Sequence, residues 1–360
     1  MTRRIFGAAL LYPILLAPHG AAGAEQLARL VGQQVIVRAD GAEAFHGQTA
    51  AAKLPGGMML DVLRVNGQWL GVTRGWVRSS QVMDCGEALR FFTAEIEARP
   101  NARAYSHRSR LWCHHGDFER ALADADQAIR LDAQCAAAWC NRGRGQAGLG
   151  RIDEAISSFS RAIEFDHSLA TAYTHRGRAW TEKGEFEKAH ADCRQALKLD
   201  PKSNVAYYYR GRALARERRS NEAIADFTHA IQLHPGYVPA LNDRGIEYVR
   251  RRQYALAIKD FDAAIKADPR FDRVQVHYNR GNAWFALGMH RRALADYRAS
   301  LRQDADYQPA LVAMAACYAH QGNFDDASEW QRKAVEVAGR ADRNELLATL
   351  DRYSLRMADE

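Results

Sequence analysis

The stretch from Asn204 to Tyr237, NVAYYYRGRALARERRSNEAIADFTHAIQLHPGY, decides how most of this chain folds. Its 34 residues carry two amphipathic runs of helical period, parted by a short turn and closed by Pro235. Counting Asn204 as first, Gly211 stands at the eighth place, Ala223 at the twentieth, Ala230 at the twenty-seventh and Pro235 at the thirty-second. The same residue types return on both sides. Ala121, Ala155, Ala189, Ala223, Ala257, Ala293 and Ala327 recur every 34 residues, with one step of 36 between Ala257 and Ala293. Ala128, Ala162, Ala196, Ala230, Ala264, Ser300 and Ala334 keep the same steps, and Pro201, Pro235 and Pro269 lie one period apart. A fixed period of this length marks an array of stacked supersecondary units.

The units begin at Ala102, Ala136, Ala170, Asn204, Val238, Val274 and Gln308. Tyr105, Trp139, Tyr173, Tyr207, Leu241 and Leu311 fill the fourth place. Gly143, Gly177, Gly211, Gly245 and Gly281 fill the eighth, where a small residue lets one helix cross its neighbour closely. The two alanine series are seven residues apart, so they share one face of the second helix, with Phe159, Phe227, Phe261 and Tyr297 adding bulk between them. Gly116, Gly150, Gly184, Gly288 and Gly322 mark the turn inside a unit, and the prolines stop the second helix.

Eighth-place Gly, twentieth- and twenty-seventh-place Ala and thirty-second-place Pro together resemble the tetratricopeptide (TPR) repeat. The resemblance covers residues 102–340 as seven repeats. It departs at Ser109 and Ala315, which stand for Gly, at the sixth unit, offset by two residues, and at Gln331, which replaces an aromatic. It implies a mainly all-α TPR solenoid that binds proteins and is not an enzyme, with first helices lining a concave groove onto which places two, five, six and nine look. Residues 341–360, with Leu346, Leu347, Leu350 and Tyr353 at helical spacing, suit a capping helix and tail. Residues 86–101 echo a second helix without its first, through Leu89, Phe92, Ile96 and Pro100, and would connect the array to what precedes it.

Residues 1–24 read as a signal peptide. Arg3 and Arg4 precede an apolar run from Ile5 to Leu16, and Ala22-Gly23-Ala24 offers small residues for cleavage. Thr2-Arg3-Arg4-Ile5-Phe6 also resembles a twin-arginine export motif. The expected location is exported, in the periplasm, at the cell envelope or secreted, with no membrane-spanning segment. From 25 to 85 the pattern shifts to short β-prone runs, Val35-Ile36-Val37, Met58 to Leu63, Trp69 to Val72 and Trp76-Val77, with Asn66-Gly67 marking a hairpin. Four or five strands of this kind fit a small barrel, and Val62 to Val82 resembles bacterial SH3-like domains, which implies binding of peptides or cell-wall material. Trp69 and Trp76 read equally as core or as a ligand platform.

The net charge of +7, mixed with acidic residues through every repeat, argues against a nucleic-acid partner; without Arg3 and Arg4 it would be +5. Six cysteines show no CxxC pair and no histidines at zinc spacing, so no metal is expected. Most fall where the repeat wants a small apolar residue and read as core thiols, with a bridge among Cys113, Cys135 and Cys140 as the alternative. Gly143 to Gly148 matches GxGxxG, but inside a helix, with no strand before it, so no dinucleotide or other cofactor is expected. His114-His115 reads as a solvated helix end. No phosphate loop, HExxH or nucleophile elbow occurs.

Two arginine series remain. Arg108, Arg142, Arg176, Arg210, Arg244 and Arg280 fill the seventh place, and Asp124, Asp192, Asp226, Asp260 and Asp296 the twenty-third; both are missing together from the last repeat, which has Met314 and Trp330. Joint loss predicts partly buried, bidentate Arg-Asp pairs between helices. Arg110, Arg144, Arg178 and Arg212 fill the ninth place, beside His107, Asn141, His175, Tyr209, Asp243 and Asn279 at the sixth. These residues form the candidate groove for a peptide with acidic or carboxylate groups; the alternative is a solvated face balanced by nearby Glu and Asp. The lysines of the two-carboxylate clamp in chaperone-binding TPR domains are absent. The expected function is a protein-protein interaction scaffold, the alternatives being a peptidoglycan-associated envelope protein that binds through the SH3-like module and an enzyme assembled from distant residues.

Overall fold

The computed structural model describes residues 30, 34–37, 42–46, 49–54, 59–62, 64–66, 68–72, 75–267 and 273–358. The signal-peptide reading of residues 1–24 and the Pro269 helix stop lie outside them. The chain divides between Ala133 and Gln134 into two compact units.

The first unit opens with short antiparallel strands. They form one sheet in the order β4 (Met59–Asp61), β1 (Gln34–Val37), β8 (Val82–Asp84). A second runs β3 (Thr49–Leu54), β2 (Ala42–His46), β7 (Gly75–Arg78), β6 (Trp69–Val72), β5 (Arg64–Asn66). Eight strands among the described residues exceed the four or five expected. β2 (AEAFH) and β3 (TAAAKL) are alanine-rich, with Thr49 the one β-branched residue in them to betray a strand in sequence. β5 and β6 pair antiparallel, Asn66 against Trp69, as the Asn-Gly signal predicts; Gly67 itself lies outside the described residues. Successive residues of β1 point to opposite faces. Val35 and Val37 enter the strand core with Ala44, Val62, Leu70 and Val77. Ile36 joins Met83 against α1 (Cys85–Ala98), whose Ala88, Phe92 and Ile96 in turn meet Ala104 and Leu111 of α2 (Ala102–His115). Trp69 and Trp76 are half-buried and lie outside both clusters of buried residues.

Helix pairs follow. α2 (Ala102–His115) and α3 (Phe118–Leu131) complete the first unit. The second holds α4 (Ala136–Gly148) with α5 (Ile152–Phe165), α6 (Ala170–Lys183) with α7 (Phe186–Leu199), and α8 (Asn204–Arg216) with α9 (Ser220–Leu233). Then come α10 (Val238–Arg250) with α11 (Tyr254–Ala267), α12 (Arg273–Ala286) with α13 (His290–Leu301), and α14 (Gln308–Ala319) with α15 (Phe324–Val337). A last helix, α16 (Arg340–Ala358), packs on α15, where Gln331 Nε2 donates to the Leu346 carbonyl at 2.9 Å. No described helix is long and apolar enough to cross a membrane.

The periodic small residues do what their spacing predicts. A Cβ on Gly143, Gly211, Gly245 or Gly281 would lie 2.6–2.7 Å from the ring of Phe159, Phe227, Phe261 or Tyr297. On Gly177 it would meet Cys193 Sγ at 2.9 Å. Burial raises that thiol to about 12, so Cys193 stays protonated and behaves as a small apolar filler. Ser109, at the same place in the first repeat, is fully buried, and its hydroxyl donates to the Ala121 carbonyl at 2.6 Å. The glycines at the fifteenth place take positive φ, 71–85°. Arg218 and Arg252 occupy that place in the fourth and fifth repeats with φ of 60° and 58°. A side chain in this region costs roughly 1–2 kcal/mol per residue, a strain the neighbouring packing must offset.

The predicted Arg-Asp pairs are present and bidentate. Nε and Nη2 of Arg108, Arg176, Arg210, Arg244 and Arg280 donate to both carboxylate oxygens of Asp124, Asp192, Asp226, Asp260 and Asp296, at 2.6–2.8 Å. In the second repeat Ser158 replaces the aspartate and accepts from Arg142 Nη1 at 3.2 Å. Two further contacts were hidden from the sequence. The guanidinium lies over the fourth-place ring of its own helix, as Arg176 does over Tyr173 at 5.8 Å and Arg210 over Tyr207 at 5.6 Å. The remaining Nη1 reaches back to the preceding second helix: Arg108 to Thr93, Arg176 to Ser160, Arg244 to Thr228 and Arg280 to Asp262, at 2.6–3.2 Å. Each such arginine ties three helices. Arg210 lacks the third tie because Arg194 holds the place where its neighbours have an acceptor.

Candidate functional site

Places six and nine lie three residues apart, so their side chains share a face of each first helix, while the place-seven arginine turns toward Asp. In the second unit consecutive first helices touch through this face. The His175 ring stacks on Phe159, with centroids 5.9 Å apart, and lies 6.4 Å from Tyr209. The Arg178 guanidinium sits 5.7 Å over the Tyr209 ring and donates from Nε to Glu182 Oε1 at 2.9 Å. Arg212 lies 5.8 Å over Tyr208 and 3.8 Å from Asp243 Oδ2. Asn242 Nδ2 donates to Asp243 Oδ1 at 3.1 Å and Asn279 Nδ2 to Asn242 Oδ1 at 3.0 Å. The result is a ladder in which guanidinium groups alternate with rings and which ends at half-buried amide and carboxylate groups.

Its charges are not equivalent. Burial, then the charges of Arg144 and Arg178, hold His175 well below the usual imidazole range, so it is neutral at physiological pH. Burial raises the Asp243 carboxyl against the pull of Arg212. Arg144 is half-buried and makes no ion pair among the described residues. A half-buried guanidinium without a carboxylate keeps donors that a ligand carboxylate can take up.

The structure therefore brings Arg144, His175, Arg178, Tyr209 and Arg212 together. Asn279 stands beyond them, bonded to Asn242. Asn141 is buried, 5% exposed, and contributes to packing instead of surface. His107 and Arg110 belong to the first unit, where Arg110 Nη2 approaches His107 Nδ1 at 3.5 Å and His107 packs 5.0 Å from Phe92. Burial, then Arg110 and Arg103, lowers the His107 pKa to about 3, so it too is neutral. Tyr208, Asn242 and Glu182 join the site unannounced. Glu182, four residues after Arg178 on one helix, was within reach of the rule for paired charges.

Models of the tetratricopeptide repeat match residues 113–170, 170–203, 242–308 and 285–350, more than half of the chain. The chain is a TPR protein. Its fold is similar to that of the crystal structure of the APC/C hetero-tetramer Cut9-Hcn1, at 17% identity and a TM-score of 0.63, over 73% of this chain and 52% of that one. The chain thus spans about half the length of that relative. A tetratricopeptide repeat protein from Parabacteroides merdae is 23% identical, with a TM-score of 0.51, over 69% of this TPR protein and 98% of that chain. The Pseudomonas aeruginosa pilF structure is 18% identical, with a TM-score of 0.53, over 60% and 98%. These likenesses establish the fold. No curated protein sequence matches the chain. TPR proteins mediate protein-protein interactions and are typically non-enzymatic scaffolds.

Proposed function

We propose that this TPR protein is an exported interaction scaffold that holds a carboxylate-bearing segment of a partner protein along the first-helix face of its repeats. The observation that carries the reading is Arg144, half-buried with no ion pair among the described residues, set beside a neutral His175 and at the same place as Arg178. A partner carboxylate would complete charge-assisted hydrogen bonds that the fold leaves open. Export rests on Arg3, Arg4 and the apolar run after them. Residues 25–85, read as an SH3-like module, would add a second contact, and two weak contacts joined by one scaffold gain through effective concentration.

A second reading makes that module the principal site, binding cell-wall material with the repeats as spacer. It is favoured by Trp69, which lies outside the core with Arg78 5.3 Å over its ring and Phe45 5.6 Å away.

Affinity capture from the native envelope, with the whole chain and with its Arg144→Glu, Arg178→Glu variant, tests the first reading. The variant is expected to lose the partners that the parent retains. Circular dichroism should show the variant still folded, because neither side chain belongs to the Arg-Asp pairs, with a lower melting temperature where Arg178→Glu gives up its pair with Glu182. Retention of every partner by the variant would remove the arginine ladder from the account.

A further inference from the structure

We infer that the ligand of this face is an acidic peptide segment in polyproline II conformation, with a carboxylate at every third residue. This rests on the reading above and specifies its register. Arg144, Arg178 and Arg212 stand at the same place on three consecutive first helices. Those helices are neighbours, since Arg178 and His175 of α6 both reach Tyr209 of α8. Packed helices lie about 8–10 Å apart, so the guanidinium rungs repeat at about that interval.

Backbone geometry then selects among ligand conformations. A polyproline II helix has three residues per turn and rises ~3.1 Å per residue, so every third side chain points the same way at intervals of ~9.3 Å. A β-strand brings side chains back to one face every second residue, at roughly 6.6 Å, and falls out of step by the third rung. An α-helix returns to nearly the same face after seven residues, at about 10.5 Å, but is ~10–12 Å wide. The surfaces between the rungs favour the slimmer ligand. The half-buried rings of His175, near Arg144 and Arg178, and of Tyr209, under Arg178, flank the rungs, so flat rings meet the two residues that separate successive carboxylates. Aromatic-lined surfaces suit the preformed, low-entropy polyproline II backbone. The ladder closes at Arg212, because the next ninth place holds Ile246. Glu182 accepts from Arg178 Nε at 2.9 Å and Asp243 stands 3.8 Å from Arg212, so ligand carboxylates would share these two rungs with the chain's own and meet Arg144 without such a rival among the described residues.

The test uses the full chain and three fluorescent peptides of equal length, each with three aspartates. One is proline-rich with aspartate at every third residue, one has them at every second, and one is a helix-former with them at every seventh. The first should bind at least about ten-fold tighter than either of the others, the loss expected when one charge-assisted contact falls out of register. Its affinity should fall with added salt and collapse in the Arg144→Glu, Arg178→Glu variant. Equal affinities for the three peptides would overturn the register while leaving an acidic ligand in place, as would preference for the second- or seventh-residue spacing. Failure of all three to bind would overturn both the register and the arginine ladder.

Discussion

Replacing Arg244 by Met should destabilise the repeat array by about 3 kcal/mol, read as a lower midpoint in thermal or urea unfolding. The arginine side chain is 15% exposed and Asp260 8%, so removing the cation leaves a carboxylate buried without its partner. It also severs the tie from Arg244 Nη1 to Thr228, which links the fifth repeat to the fourth. Arg210→Met should cost less, since Arg210 is 27% exposed and has no third acceptor. The double variant Arg244→Met, Asp260→Leu should regain most of the loss, because two apolar side chains of fitting size replace a desolvated pair at little net cost. An unchanged midpoint for Arg244→Met would show that these pairs carry no structural weight.

Gly245→Val should be comparably severe, on the order of 3 kcal/mol, by overpacking instead of a lost charge pair. The Cβ alone would lie 2.6 Å from the Phe261 ring, which is fully buried and has no room to retreat, and the two γ-methyls add to the clash. The helices would have to part, and with them the contacts between repeats. Shrinking the obstacle should help: Phe261→Leu beside Gly245→Val should recover part of the midpoint, and no recovery would mean that the loss arises elsewhere in the helix.

These two sites show why so much of the array was legible from its sequence. The eighth-place glycine and the twenty-third-place aspartate are demanded by geometry that repeats with the chain, so they recur as single residue types. The joint loss of the seventh-place arginine and twenty-third-place aspartate in the last repeat, to Met314 and Trp330, exposed their pairing. The third tie escaped because its acceptor is any short oxygen-bearing side chain: Thr93, Ser160, Thr228 and Asp262 form no visible series. Strands β2 and β3 escaped because alanine carries little strand signal. Within the candidate site, helical spacing placed Arg144, Arg178, Arg212, His175 and Tyr209 on one face. Whether a polar side chain on that face is covered depends on its neighbours, so Asn141 turned out buried, Tyr208 lies buried beneath Arg212, and Asn242 came into the site half-buried.

The claim on which the functional account rests is that ligand lies across the first helices of the second unit. Amide hydrogen exchange of the whole chain, with and without the peptide carrying aspartate at every third residue, tests it most directly. Added protection is expected in residues 136–148, 170–183 and 204–216, with the second helices 186–199 and 220–233 unchanged. Protection confined to those second helices, or to the strands before Cys85, would contradict it.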